Sequence, residues 1–131
     1  MKIQMMVTDC WSGVSNAETE TPEPSLTDII GAVTRLDGKE RTLVTLHSEG
    51  DAHMSIGGDG GRFVVYITSD NEVFHTLTGD GDPSAVVTLV AGGQEGEYPG
   101  NTVVGKDEML SAVEHYFSDG EPHPALKWIR E

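Results

Sequence analysis

Cys10 is the only thiol in the chain, and five histidines follow it at His47, His53, His75, His115 and His123. Thiol-nucleophile chemistry would need a thiolate held against an imidazole that a third group orients. The context Asp9-Cys10-Trp11 opposes this, because an adjacent carboxylate raises a thiol pKa rather than lowering it. Glu18, Glu20 and Glu23 could form a catalytic carboxylate group, yet they stand in a Pro-flanked acidic stretch that reads as a solvated loop. Gly79-Asp80-Gly81-Asp82 alternates acids as a calcium loop does, but Pro83 and Ser84 follow where further oxygen ligands and a closing Glu are required. Gly57-Gly58-Asp59-Gly60-Gly61-Arg62 is rich enough in glycine to approach a phosphate. It lies between two strand patterns, however, with no helix N-terminus to receive the anion. The histidines lack close metal-ligand spacing; His47 and His53 flank a tight turn, so a strand pair could bring them together. These residues predict no catalytic group, no metal and no cofactor, and leave a binding protein as the class.

What stands out instead is where the acid lies. Residues 51–105 hold Asp51, Asp59, Asp70, Glu72, Asp80, Asp82, Glu95 and Glu97 against one base, Arg62. Most of these acids fall in Gly-rich stretches, with β-branched and aromatic runs between them. Asp59, Asp80, Asp82, Glu95 and Glu97 cluster in the expected loops and are the candidate partner-binding residues. A field of this sign repels nucleic acid and anionic membrane and attracts a basic partner.

The elements that must hold those loops are marked by period. Residues 3–8 read as a first strand, and 12–24 as a solvated loop. Leu26, Ile29, Ile30, Val33 and Leu36 make an apolar stripe at helical spacing, with Ser25 and Asp28 as a capping box and Gly38 as the stop. From residue 42 the period becomes two, and Thr42–Ser48, His53–Ile56, Arg62–Thr68, Val73–Thr78 and Ala85–Ala91 read as five strands. Phe63-Val64-Val65-Tyr66-Ile67 is apolar on both faces and belongs in mid-sheet, and Thr102–Val104 reads as a short extra strand. Met109, Leu110, Val113, Tyr116 and Phe117 stripe a second helix from about Lys106 to Ser118, ended by Gly120. Residues 125–129 close the chain as a strand or a packed tail, with Trp128 a core plug before an interface anchor. The order β-α-β-β-β-β-β-α-β predicts an α+β fold: a mainly antiparallel sheet with both helices on one face.

A chain of 131 residues suits a single domain over residues 1–131. Its net charge of −14 comes from 22 acids and 8 bases, and the middle segment supplies half of it. One cysteine excludes an internal disulfide, the first residues lack the pattern of a signal peptide, and a cytoplasmic, soluble protein follows as the expectation.

Several dispersed positions carry a resemblance. Leu36-Asp37-Gly38 ends a helix before Leu43-Val44-Thr45-Leu46, Ser55-Ile56-Gly57-Gly58 precedes Phe63-Val64-Val65-Tyr66, and Gly92-Gly93-Gln94 precedes the last helix. Ala112, Tyr116, Phe117, Gly120, Pro124 and Trp128 follow. Over residues 25–129 this resembles the immunity-protein family found beside bacterial polymorphic-toxin genes, typically those with nucleic-acid deaminase domains. The resemblance implies a cytoplasmic antidote that binds its cognate toxin and covers the active site or substrate groove. A toxin acting on DNA or RNA must present a basic groove, so the expected partner is a basic toxin domain, and the chain itself is expected to be a monomer or weak dimer. It supplies no contact residues. A small enzyme, or an adaptor or chaperone of the same fold, is the alternative.

Overall fold

The computed structural model describes residues 3–131. Ser25 starts α1 (Leu26–Thr34): its side chain accepts from the Asp28 amide, and the Asp28 carboxylate accepts from the Ser25 amide, both at 3.0 Å. The capping box is thus present with Asp in the place of Glu. Arg35, not Gly38, caps the C-terminus. Asp37 explains the early stop, because its carboxylate accepts the amides of Lys39, Glu40 and Arg41 and turns the chain. Those amide bonds, Arg41 and Lys39 foremost, hold the Asp37 pKa below the usual carboxylate value. The second helix, α2 (Lys106–Asp119), ends where Gly120 takes the left-handed conformation, φ 71°.

Seven strands form one sheet, every neighbouring pair antiparallel. They are β1 (Met5–Thr8), β4 (Thr19–Pro22), β5 (Leu43–His47), β6 (His53–Gly58), β7 (Phe63–Thr68), β8 (Phe74–Thr78) and β11 (Lys127–Arg130), in the order β11-β8-β7-β6-β5-β1-β4. By register, Met6, Leu46, Met54, Ile67, Val44, Ile56 and Val65 line one face. Ile29 and Val33 of α1 and Met109, Val113 and Tyr116 of α2 join them in a single buried cluster, so both helices cover that face. The α+β expectation holds. Tyr116 brings its hydroxyl to the Ser48 Oγ at 2.9 Å, and burial pushes its pKa up.

Three further expectations need correction. The stretch 12–24 is not all loop: β4 is one of the sheet's two outer strands, and β2 (Trp11–Ser12) with β3 (Ser15–Asn16) makes a small hairpin. An edge strand such as Thr-Glu-Thr-Pro is polar on both sides and so lacks the alternation that marks inner strands. Next, β9 (Val86–Ala91) does not join the main sheet but pairs with β10 (Gln94–Pro99). Gly92 (φ 66°) and Gly93 (φ 78°) supply the two positive dihedrals of a tight hairpin turn. Glu95 and Glu97 therefore stand on a strand rather than in a loop. Finally, Thr102–Val104 is a 3-10 turn over Gly100–Thr102 followed by a single bridge, Val104 to Phe63. Among the described residues no helix is long and apolar enough to cross a membrane.

Candidate interaction surface

The β9–β10 hairpin is anchored through a carboxylate that the sequence reading passed over. Asp9, 6% exposed, follows β1 and faces the start of β5. Its Oδ1 accepts from the Thr42 amide at 2.7 Å and the Leu43 amide at 3.0 Å, and its Oδ2 from Trp11 Nε1 at 2.8 Å and from the Thr42 hydroxyl. The Thr42 Oγ1 in turn accepts the Gly93 amide at 2.9 Å. A buried charge is tolerated only when its lone pairs are satisfied, and here the donors come from two separate stretches of chain, Trp11 and Thr42-Leu43. Any Cβ at Gly93 would collide with the Trp11 ring, so the hairpin tip lies directly on that indole. The outcome is a hairpin fixed over the end of the sheet, with Ala91 packed on Gly57 and Leu89 fully buried.

The five acidic candidates fall in two regions. Asp59 lies in the β6–β7 turn, half-buried against the Asp37-Gly38 turn, and ion-pairs with Arg62. The other four belong to residues 79–99. Asp80 and Asp82 occupy the β8–β9 connection, which is tied to the hairpin base by Gly100, whose amide donates to the Ala85 carbonyl at 2.9 Å. Asp82 accepts the Ser84 amide and hydroxyl, which lower its pKa and show a turn-forming acid. Glu95 and Glu97 pair with Val90 and Thr88, on the hairpin side opposite buried Leu89, and both are exposed. No side-chain hydrogen bond or ion pair holds Asp80, Glu95 or Glu97 among the described residues.

The sheet face away from the helices is a second feature. Following the register, one line runs from Ile129 through Thr76, Tyr66, Ser55 and Thr45 to Val7 and Glu20. The neighbouring line runs His47, His53, Thr68 and Phe74, and its rings meet Tyr66 of the first: His47–His53 centroids are 5.8 Å apart, His53–Tyr66 5.6 Å and Tyr66–Phe74 5.3 Å. His53 Nδ1 donates to the Asp51 carbonyl at 2.9 Å, and its Nε2 lies 3.2 Å from the Tyr66 hydroxyl. Burial first, and the His53 ring second, depress the His47 pKa below 6.5. Between this face and the hairpin lies a groove of about 410 Å³, lined by Leu43, Val64, Tyr66, Thr76, Ala91 and Tyr98 among others. The inner strands β1 and β5–β8 contain no Asp, Glu, Lys or Arg. That absence is legible in the sequence and was the missed signal for an unusual outer face.

The chemistry-bearing residues stay dispersed. Cys10 is half-buried, and the hollow of about 140 Å³ beside it is lined by Asp9, Arg35, Leu36 and Arg41, with no imidazole among its lining residues. His115 stacks with His123 at 4.6 Å and approaches Asp119 at 3.3 Å. No group of three potential ligands converges among the described residues. Trp128 packs against the core cluster and donates to the His123 carbonyl at 3.0 Å, as a plug at the core's edge.

The model of one family, described as Immunity protein Imm1, matches residues 17–129. No curated protein matches the chain.

Proposed function

Because this chain belongs to the Imm1 immunity-protein family, we propose that it binds a cognate polymorphic toxin, a nucleic-acid deaminase, and covers its active site or substrate groove with an acidic surface. It does so in the bacterial cytoplasm as a single domain, without cofactor or metal. The observation that carries this reading is the set of charges at Asp80, Glu95 and Glu97, without a side-chain partner among the described residues, on one continuous unit, residues 79–99. A toxin domain that grips DNA or RNA needs a basic groove, and carboxylates with no internal partner are free to meet it. Asp82 and Asp59 add to the field, although Asp59 already shares its charge with Arg62. In a chain of net charge −14 the summed potential steers a basic domain toward this side.

Co-expression tests it. The chain should copurify with the cognate toxin domain, and cells making both should grow while cells making the toxin alone do not. Failure to form a complex when both are folded and abundant would remove the reading.

A further inference from the structure

We infer that the helix-free face of the sheet, walled on one side by the β9–β10 hairpin, is the docking centre for an extended apolar or aromatic segment of a basic protein domain. This rests on the toxin-binding reading and names the contact within it. A sheet whose second face meets only solvent alternates apolar-in with polar and charged-out. Here the outward positions of β1 and β5–β8 hold Val7, Leu43, Thr45, His47, His53, Tyr66, Phe74 and Thr76, with no charged side chain. Ile129, opposite Thr76 on the edge strand, is one of three large apolar side chains left exposed among the described residues. Depletion of charge with enrichment of aromatics marks the centre of protein interfaces, and a charged rim surrounds it.

That rim carries acid at opposite ends, Glu20 on β4 at one edge and Glu131 lining the groove at the other, where Lys127 of β11, opposite Thr78, adds a base on the same face. Glu95 and Glu97 stand outside the wall, on the hairpin face turned away from Leu89. The complement is a segment with aliphatic or aromatic side chains for the groove and Lys or Arg on its flanks. A second copy of this chain fits poorly, because it would bring the same acidic rim and the same −14 against its own. The rings in mutual contact from His47 to Phe74 offer aromatic contact area on this face.

Thr76→Arg and, separately, Thr45→Arg put a charge on the floor of this face while leaving its head in solvent in the free chain. Both variants should melt near the parent temperature and bind the cognate toxin domain about 100-fold more weakly, since a charge trapped in an apolar contact is left unpaired. Hydroxyl-radical footprinting of the parent complex needs no substitution: Tyr66, Phe74 and Ile129 should lose reactivity on toxin binding, and Trp128 and Tyr116 should not change. Parent-like binding by both folded variants, or an unprotected face in a complex that does form, overturns the docking centre and leaves the toxin reading intact. Protection that grows with concentration in the chain alone assigns the face to a second copy and also overturns it. If the parent chain forms no complex, the toxin reading fails and the docking centre falls with it.

Discussion

Asp9 accepts two backbone amides, an indole N–H and a hydroxyl, and through Thr42 it reaches the hairpin tip. Replacing it by Asn keeps the shape but turns an N–H₂ toward existing donors, so Asp9→Asn should destabilise the fold by about 2–4 kcal/mol, read by urea unfolding. Thr42→Val should cost less, because the amide bonds to Asp9 survive. A retained stability in Asp9→Asn would mean that the network is incidental. His47 gives a pH dependence whose sign follows from its depressed pKa. The folded chain holds that proton less tightly than the unfolded chain does. The stability from neutral His47 is therefore complete above 6.5 and declines as pH falls below it. Comparing the parent and His47→Gln at about pH 7.5 and about pH 5.5 should show a smaller acid loss in the variant. His53 across the strand pair strengthens this effect, and Glu20 on β4 opposes it.

The β9–β10 hairpin depends on two glycines for different reasons. Gly92 needs only its positive φ, whereas Gly93 needs both the φ and the absence of a Cβ beneath which Trp11 lies. Gly93→Ala should cost about 1–3 kcal/mol and change the emission of Trp11. Gly13 is the control, since it shares a positive φ of 64° but a side chain there would meet nothing within 4 Å. Gly13→Ala should show only the conformational part, about 1 kcal/mol. Equal losses in the two variants would show that the indole contact does not hold the hairpin. Helix α1 is held more simply: Ser25→Ala removes one half of a capping box and should cost about 1 kcal/mol.

For the protein as a charged body, stability and binding should separate. The combined change Asp59→Asn, Asp80→Asn, Asp82→Asn, Glu95→Gln and Glu97→Gln removes exposed or half-exposed charge, and melting should stay near the parent value. The loss of the Asp59–Arg62 pair and the Asp82 turn bonds works against the relief of repulsion among the remaining acids. Toxin affinity should nevertheless fall strongly, because the summed field and any desolvated carboxylate–base pair go together. The parent on-rate should drop steeply between about 0.05 and 0.5 M salt while the off-rate moves less. An on-rate indifferent to salt would remove the steering role of the acids. Cys10→Ser should leave protection of cells intact, which separates binding from any thiol chemistry.

Local signals determined a great deal here. The capping box at Ser25, the inner strands and the Gly120 stop are short-range patterns, and each appears at or within a residue or two of its expected place. Charge was legible because composition needs no fold. Partnership was not. Whether β9 extends the sheet or folds back on β10 depends on where Gly92-Gly93 meets Trp11 and Thr42, which are distant in the chain. Asp9 reads as one more acid until the start of β5 brings donors more than thirty residues away in sequence. The edge strand β4 has no burial pattern of its own, since its pairing with β1 is a matter of backbone hydrogen bonds that side-chain periodicity does not record. Tertiary structure alone decided that both helices take one face and that only the β9–β10 hairpin packs on part of the other. Alternation along the strands separates the two faces but does not record what packs on each.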